Sequence, residues 1–266
     1  MLLELPEPYD FELSTERFRV FGTDLANLWH DGALHRLVCG REVRIAAAPG
    51  GVEVEPLDEE SRPAVEKLLG LEFELEPFVA WAAGQPVLAE LVPRLSGFRP
   101  PLGPDPFESL VTSITAQQVS LFAAVAIRNR LIERYGVRGP HAFAFPTRER
   151  IACATEEELF EVGFSRRKAE YVIGLARAEI ELEELAGLDD DEVRARLIAL
   201  RGLGPWTAEW FLARHLARPR AWPAGDLALR KAANLFYRCD VYELGPRLDP
   251  FQNLSAHYLL TGMRTP

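Results

Sequence analysis

Cysteine is scarce in this 266-residue chain: Cys39, Cys153 and Cys239 stand far apart, odd in number and without CxxC spacing. Neither a disulfide framework nor a zinc site is expected from them. His30, His35, His141, His215 and His257 are equally dispersed and form no HExxH pair, so no catalytic transition metal is expected. Lysine is almost absent, with only Lys67, Lys168 and Lys231. Long apolar runs are missing, and the first residues, Met1 to Pro8, carry no positive charge. The reading is therefore a chain without a membrane span or leader, working in the cytoplasm. Excess positive charge is lacking too: the net charge is −10, which weighs against tight nonspecific binding to nucleic acid.

What remains has the composition of a globular protein, 48% hydrophobic and 26% charged. Arg17–Phe21, Glu42–Ile45 and Gly51–Glu55 alternate polar with apolar residues, and Pro49-Gly50-Gly51 supplies a turn between the last two. These predict a strand-rich start with an antiparallel hairpin. From about Ser61 the pattern turns helical. Asp105-Pro106-Phe107-Glu108 predicts a helix start with Glu108 three residues beyond the cap. A second helix is expected from about Gln117–Ser120 to Tyr135, where Gly136 ends it. Thr155 and Glu158 form a capping-box pattern, Ser165 opens a further helix, and Asp189–Leu200 and Pro205–Ala217 form a helical pair. The fold class is α+β, with a small antiparallel β domain over residues 1–62 and a mainly helical region over 63–266.

That helical pair carries the strongest signal. Gly202 and Gly204 sit one residue apart in Leu200-Arg201-Gly202-Leu203-Gly204, and Pro205-Trp206-Thr207-Ala208 opens the next helix. Glycines there allow a tight turn whose N–H groups point outward ahead of a helix N-terminus, which suits a phosphate. Asp226 follows in Trp222-Pro223-Ala224-Gly225-Asp226. As an isolated residue Asp226 reads as a helix N-cap. From Arg194 to Arg238 nine basic residues face only Glu209 and Asp226, a local net charge of +7. Screening over about 8–10 Å makes that local charge count for more than the total.

The hairpin, the Gly/Pro-rich loop and the aspartate together resemble the helix-hairpin-helix GPD superfamily of DNA glycosylases, in particular its AlkA-type, 3-methyladenine DNA glycosylase II branch. The resemblance runs from about Phe73 onward, and the N-terminal strands fit that branch's small β domain. The four-cysteine iron–sulfur loop of some superfamily members is absent.

The resemblance implies hydrolysis of the N-glycosidic bond of an alkylated base in duplex DNA, after the nucleotide is flipped out. Asp226 would be catalytic, its fixed carboxylate stabilising the oxocarbenium-like charge on the sugar. Trp206 and Trp210, one turn apart, would line the base pocket with Phe251 and Gln117. The family often carries tryptophan or tyrosine followed by arginine where this chain has Phe251-Gln252. The N–H groups of Gly202, Gly204 and Thr207 would grip a phosphate. The carbonyls of Ile198, Leu200 and Leu203 would hold Na+ or K+, with no cofactor needed for catalysis. Arg201, Gln118, Arg166 and Lys168 would contact DNA, and Leu102 or Pro100 would be the wedge entering the vacated stack. Bifunctional members carry a lysine two residues after the hairpin's second glycine. Here that residue is Trp206, which implies a monofunctional enzyme without lyase activity. The implied partner is duplex DNA with a damaged base, met by a monomer at the nucleoid. Two other readings stay open: a glycosylase for deaminated or oxidised bases, and a noncatalytic DNA-binding module.

Overall fold

The computed structural model describes residues 1–265, with an antiparallel sheet followed by helices. The sheet is ordered β1-β5-β4-β3-β2, from Leu2–Glu4 (β1), Leu28–His30 (β2), Ala33–Val38 (β3), Arg41–Ala48 (β4) and Gly51–Glu55 (β5). Ile45 pairs with Val54 and Ala47 with Val52. Because side chains alternate across a strand, Val43, Ile45, Val52 and Val54 fall together on the buried face. The expected strand at Arg17–Phe21 does not form. Helix α1 (Phe11–Thr15), capped by Asp10, runs straight into a 3₁₀ turn at Glu16–Phe18. Arg19 then stacks 4.0 Å over the Trp29 ring. Five alternating residues cannot override a capped helix immediately before them.

The helical part comprises α2 (Arg62–Leu68), α3 (Leu75–Ala82), α4 (Leu88–Arg94), α5 (Pro106–Ala116) and α6 (Leu121–Tyr135). A short hairpin, β6 (Val137–Arg138) and β7 (Phe143–Ala144), precedes α7 (Arg148–Ala152), α8 (Glu156–Glu161), α9 (Arg166–Arg177) and α10 (Asp190–Ala199). The chain closes with α11 (Pro205–Arg214), α12 (Leu227–Tyr237), α13 (Val241–Arg247) and α14 (Gln252–Gly262). Among the described residues no helix is long and apolar enough to cross a membrane. Every residue of α14 is buried, with α4 and α12 packed against it.

Local chemistry explains the boundaries. Asp105 caps α5 by accepting the Glu108 N–H at 2.7 Å, and Thr155 with Glu158 forms a complete capping box. The Glu108 side chain does not reach back to its cap, because it serves the core. The expected start of α6 at Gln117 is displaced: Gln117 ends α5, Gln118 takes a left-handed φ of 56°, and Ser120 caps the new helix. Helix α11 stops at Arg214 rather than Ala217. Ala217 is left-handed (φ 51°) and the Arg218 N–H returns to the Leu212 carbonyl at 2.9 Å, so the chain turns off the helix there.

Two cores result. One joins the sheet to Val65 and Leu68 of α2 and to Leu69 just after it; the other begins at Phe73 and takes in α3 to α14. On packing grounds α2 therefore belongs with the sheet. Two polar clusters fasten the units together. Arg36 on β3 meets Glu108 on α5 at 2.5 Å, and Glu108 also pairs with Arg128 on α6, which holds Asp24. Burial alone would raise the Glu108 carboxyl, but the Arg36 and Arg128 guanidiniums outweigh it and hold it below the usual range. In the second cluster Glu42 on β4 accepts from His35 and from three groups of the β6–β7 turn. Burial opposes its ionisation, yet these donors bring its carboxyl down to about 2.

Candidate active site

Helices α10 and α11 meet at the turn Leu200–Gly204. Gly202 is held at φ 92° with its Cα against Tyr171; a Cβ there would lie 2.1 Å from the Tyr171 ring. Only glycine satisfies both the dihedral and the contact. Leu203 is buried between the helices, and Gln117 braces the turn by donating from Nε2 to the Gly202 carbonyl at 2.9 Å. Gln117 is thus a hairpin support, and its amide nitrogen is spent there rather than in a base pocket. Among the described residues the Gly202 and Gly204 N–H groups donate to nothing, and they stand at the α11 N-terminus.

Thr207 does not join them as a donor. Its N–H returns to the Gly204 carbonyl at 3.0 Å and the residue is buried. The carbonyl of Leu200 accepts the Leu203 N–H at 3.1 Å, while those of Ile198 and Leu203 accept no hydrogen bond among the described residues. A carbonyl oxygen has two lone pairs, so these three oxygens keep the capacity for a weakly held monovalent cation.

Asp226 caps α12. Its Oδ1 accepts the N–H groups of Ala228 at 2.8 Å and Leu229 at 3.0 Å. Its Oδ2 accepts the indole N–H groups of Trp206 at 3.2 Å and Trp210 at 3.1 Å. Both the structural role and a fixed, partly buried carboxylate are therefore present in one side chain. The loop before it is equally fixed. Glu209 takes the Trp222 N–H at 2.9 Å and Arg194 Nε at 2.6 Å. Asn253 donates to the carbonyls of Ala213 and Arg218, both at 3.0 Å. Gly225 packs against Trp206.

The two tryptophans differ in what they leave exposed. Trp210 is buried, and the Arg214 guanidinium lies 3.4 Å over its ring. That face cannot receive a base, so Trp210 is a holder of Asp226 and not a wall of a pocket. Trp206 is half-buried. Phe251 is half-buried as well and stacks with Trp81 at 5.3 Å between ring centroids. Behind them His257 is buried between Trp210 and Phe73, and burial pushes its imidazole well below the ordinary value, assisted by Arg214.

Arg214 was legible in principle, since 206, 210 and 214 share one helical face. Trp81 and Glu209 carried no local signal. Leu102 is buried, as is Pro100, and the Leu102 N–H bonds to the Lys67 carbonyl at 2.9 Å; neither can enter a base stack. The exposed apolar tip lies instead at Val119, Leu121 and Phe122, just after left-handed Gln118. Lys168 turns inward, its Nζ donating to the Thr115 carbonyl at 2.9 Å, and burial lowers its pKa. Arg166 and Arg201 stay at the surface, beside Glu157 at 3.5 Å and Glu170 at 2.5 Å respectively.

Residues 111–243 match the model of the HhH-GPD superfamily base excision DNA repair proteins. A DNA-3-methyladenine glycosylase of Bacillus subtilis is 34% identical over 167 residues, 60% of this chain and 55% of that protein. The chain thus spans little more than half of that relative's length. DNA-3-methyladenine glycosylase 1 of Schizosaccharomyces pombe is 31% identical over 58% of this chain and 71% of its own. The solved 3-methyladenine DNA glycosylase of Archaeoglobus fulgidus superposes with a TM-score of 0.87 at 28% identity, covering 99% of this chain and 98% of that one.

Proposed function

Because the chain belongs to the HhH-GPD superfamily of base excision DNA repair proteins, we propose that it is a monofunctional glycosylase that hydrolyses the N-glycosidic bond of alkylated bases of the 3-methyladenine type in duplex DNA. The observation that carries this is the Asp226 carboxylate, fixed by four N–H donors in the loop that follows an anion-binding turn. The Gly202 and Gly204 N–H groups grip a phosphate, and the carbonyls of Ile198, Leu200 and Leu203 hold Na+ or K+ beside it. The Gln118–Phe122 tip fills the gap left by the flipped nucleotide. The extruded base stacks on Trp206 and on the Phe251–Trp81 pair, the aromatic surfaces not already covered. Asp226 then stabilises the charge that develops on the sugar and orients the attacking water. With Trp206 in place of an amine, no Schiff base forms and no strand is cut.

Duplex oligonucleotides carrying methylated adenine, ethenoadenine, hypoxanthine or uracil test the reading. Release of the alkylated base, scored as alkali-labile sites and lost in Asp226→Asn, supports it. Asparagine still caps a helix, so that variant separates catalysis from folding. Preferential release of hypoxanthine or uracil would assign the enzyme to deaminated bases. Strand scission without alkali would refute the monofunctional assignment, and binding without release would leave a DNA-binding module.

A further inference from the structure

Two histidines from the sheet, His30 and His35, meet a third, His141, from the helical part where the two units join. His35 Nδ1 stands 3.0 Å and His141 Nδ1 2.7 Å from the same oxygen, Oε1 of Glu42. One ligand atom from each of these three residues falls within 4.8 Å of the others. The His30 ring lies 5.2 Å from that of His141 and 6.0 Å from that of His35. From this geometry we propose that His35, His141 and Glu42 form a binding site for one divalent zinc-type ion that clasps the β-sheet to the β6–β7 turn.

The donor chemistry fits. Two imidazoles and a carboxylate suit zinc, which binds nitrogen and oxygen at about 2.0–2.2 Å and wants about 3.3 Å between neighbouring tetrahedral ligands. Both oxygen–nitrogen separations at Glu42 Oε1, 3.0 and 2.7 Å, would open toward that value as the two ring nitrogens, within 4.8 Å of each other, close on the ion. Each ring would carry its N–H on Nε2 and present the Nδ1 lone pair to the ion. The outer shell is already built. Glu42 Oε2 accepts the backbone N–H groups of His141 at 2.8 Å and Ala142 at 2.9 Å, which aims Oε1 at the two rings, as supporting contacts do around metal-ligating carboxylates. His35 and the Glu42 carboxylate are nearly closed off from water while His141 is half exposed. That arrangement gives two anchored ligands and an entry path, with the fourth position open to solvent beside His30. The clasp is structural, since none of its residues belongs to the hairpin or to the Asp226 loop.

Tag-free, chelator-treated protein should bind one equivalent of Zn2+ or Co2+, with cobalt showing the visible absorption of a tetrahedral N/O site. At 100 times its dissociation constant, zinc should raise the melting midpoint by roughly 5 °C. His141→Gln, at a half-exposed position, should fold normally by circular dichroism yet lose both the cobalt band and the zinc-dependent shift. His35→Gln should do the same. Base release by the wild type should not depend on the metal. Absence of stoichiometric binding at millimolar zinc, or equal shifts in wild type and His141→Gln, would overturn the proposal and leave a purely hydrogen-bonded clasp.

Discussion

Trp210 donates its indole N–H to Asp226 at 3.1 Å while its ring face is covered by Arg214. A residue that the family resemblance casts as an aromatic wall thus acts on the carboxylate. Trp210→Phe keeps the packing and removes that donor. A hydrogen bond to a charged group is worth about 1.5–3 kcal/mol, so single-turnover base release should slow roughly 10- to 100-fold with little change in DNA affinity. An unchanged rate would show that Trp206 and the α12 N–H groups suffice.

Gly202 and Gly204 should respond differently to alanine. Gly202→Ala meets Tyr171 and a left-handed backbone, and should cost on the order of 1–3 kcal/mol of stability. Gly204→Ala meets nothing within 4 Å and should melt like the wild type, yet bind DNA more weakly because its Cβ crowds the anion. Paired melting and binding curves check both halves. Normal affinity in Gly204→Ala would move the phosphate away from the turn.

Glu108 couples the sheet to α5 and α6. Glu108→Ala leaves Arg36 and Arg128 buried without their shared partner, and should destabilise the protein by about 3–5 kcal/mol in denaturant unfolding. A loss below about 1 kcal/mol, the range of exposed pairs, would mean that water reaches the cluster.

Acid should destabilise the fold through His215. Burial first, and Lys67 second, hold its imidazole down to about 4 against the Gly103 carbonyl, from an ordinary value of 6.5. Between those values the unfolded chain binds the proton and the folded chain does not. Stability is therefore full above about pH 6.5 and falls as the pH drops toward 4, by roughly 3 kcal/mol for this residue. His257 acts in the same direction. His215→Gln should flatten the profile in that window; an unchanged slope would place the loss elsewhere.

Arg166 and Lys168 lie two residues apart yet face opposite ways. Arg166→Ser should reduce the salt dependence of DNA binding by about one unit of slope. Lys168→Met should leave the slope unchanged and loosen α9 from α5. The reverse pattern would mean that Lys168 swings outward on DNA.

Much of the site was readable because it is local. The Gly202–Gly204 turn, the Asp226 cap and the order of sheet and helices each depend on residues close in sequence, where dihedral preference and capping chemistry act directly. What a side chain meets across the fold was not readable in that way. The alternation at Arg17–Phe21 could not reveal that Asp10 starts a helix there, and Glu108 looked like a capping glutamate until Arg36 and Arg128 claimed it. Leu102 looked like an exposed wedge because its apolar loop gives no sign of being covered.

The sequence by itself determined the hairpin, its two-glycine turn, the aspartate after it and the tryptophan two residues beyond the second glycine, since each is written in consecutive residues whose geometry the backbone enforces. The tertiary structure decided which donors remain free at that turn, which tryptophan face stays open and which lysine is spent. It also brought His35, Glu42 and His141 to one point. The spent lysine and the histidine cluster depend on contacts between residues 53 and 99 positions apart, Thr115 with Lys168 and Glu42 with His141, and packing fixes them.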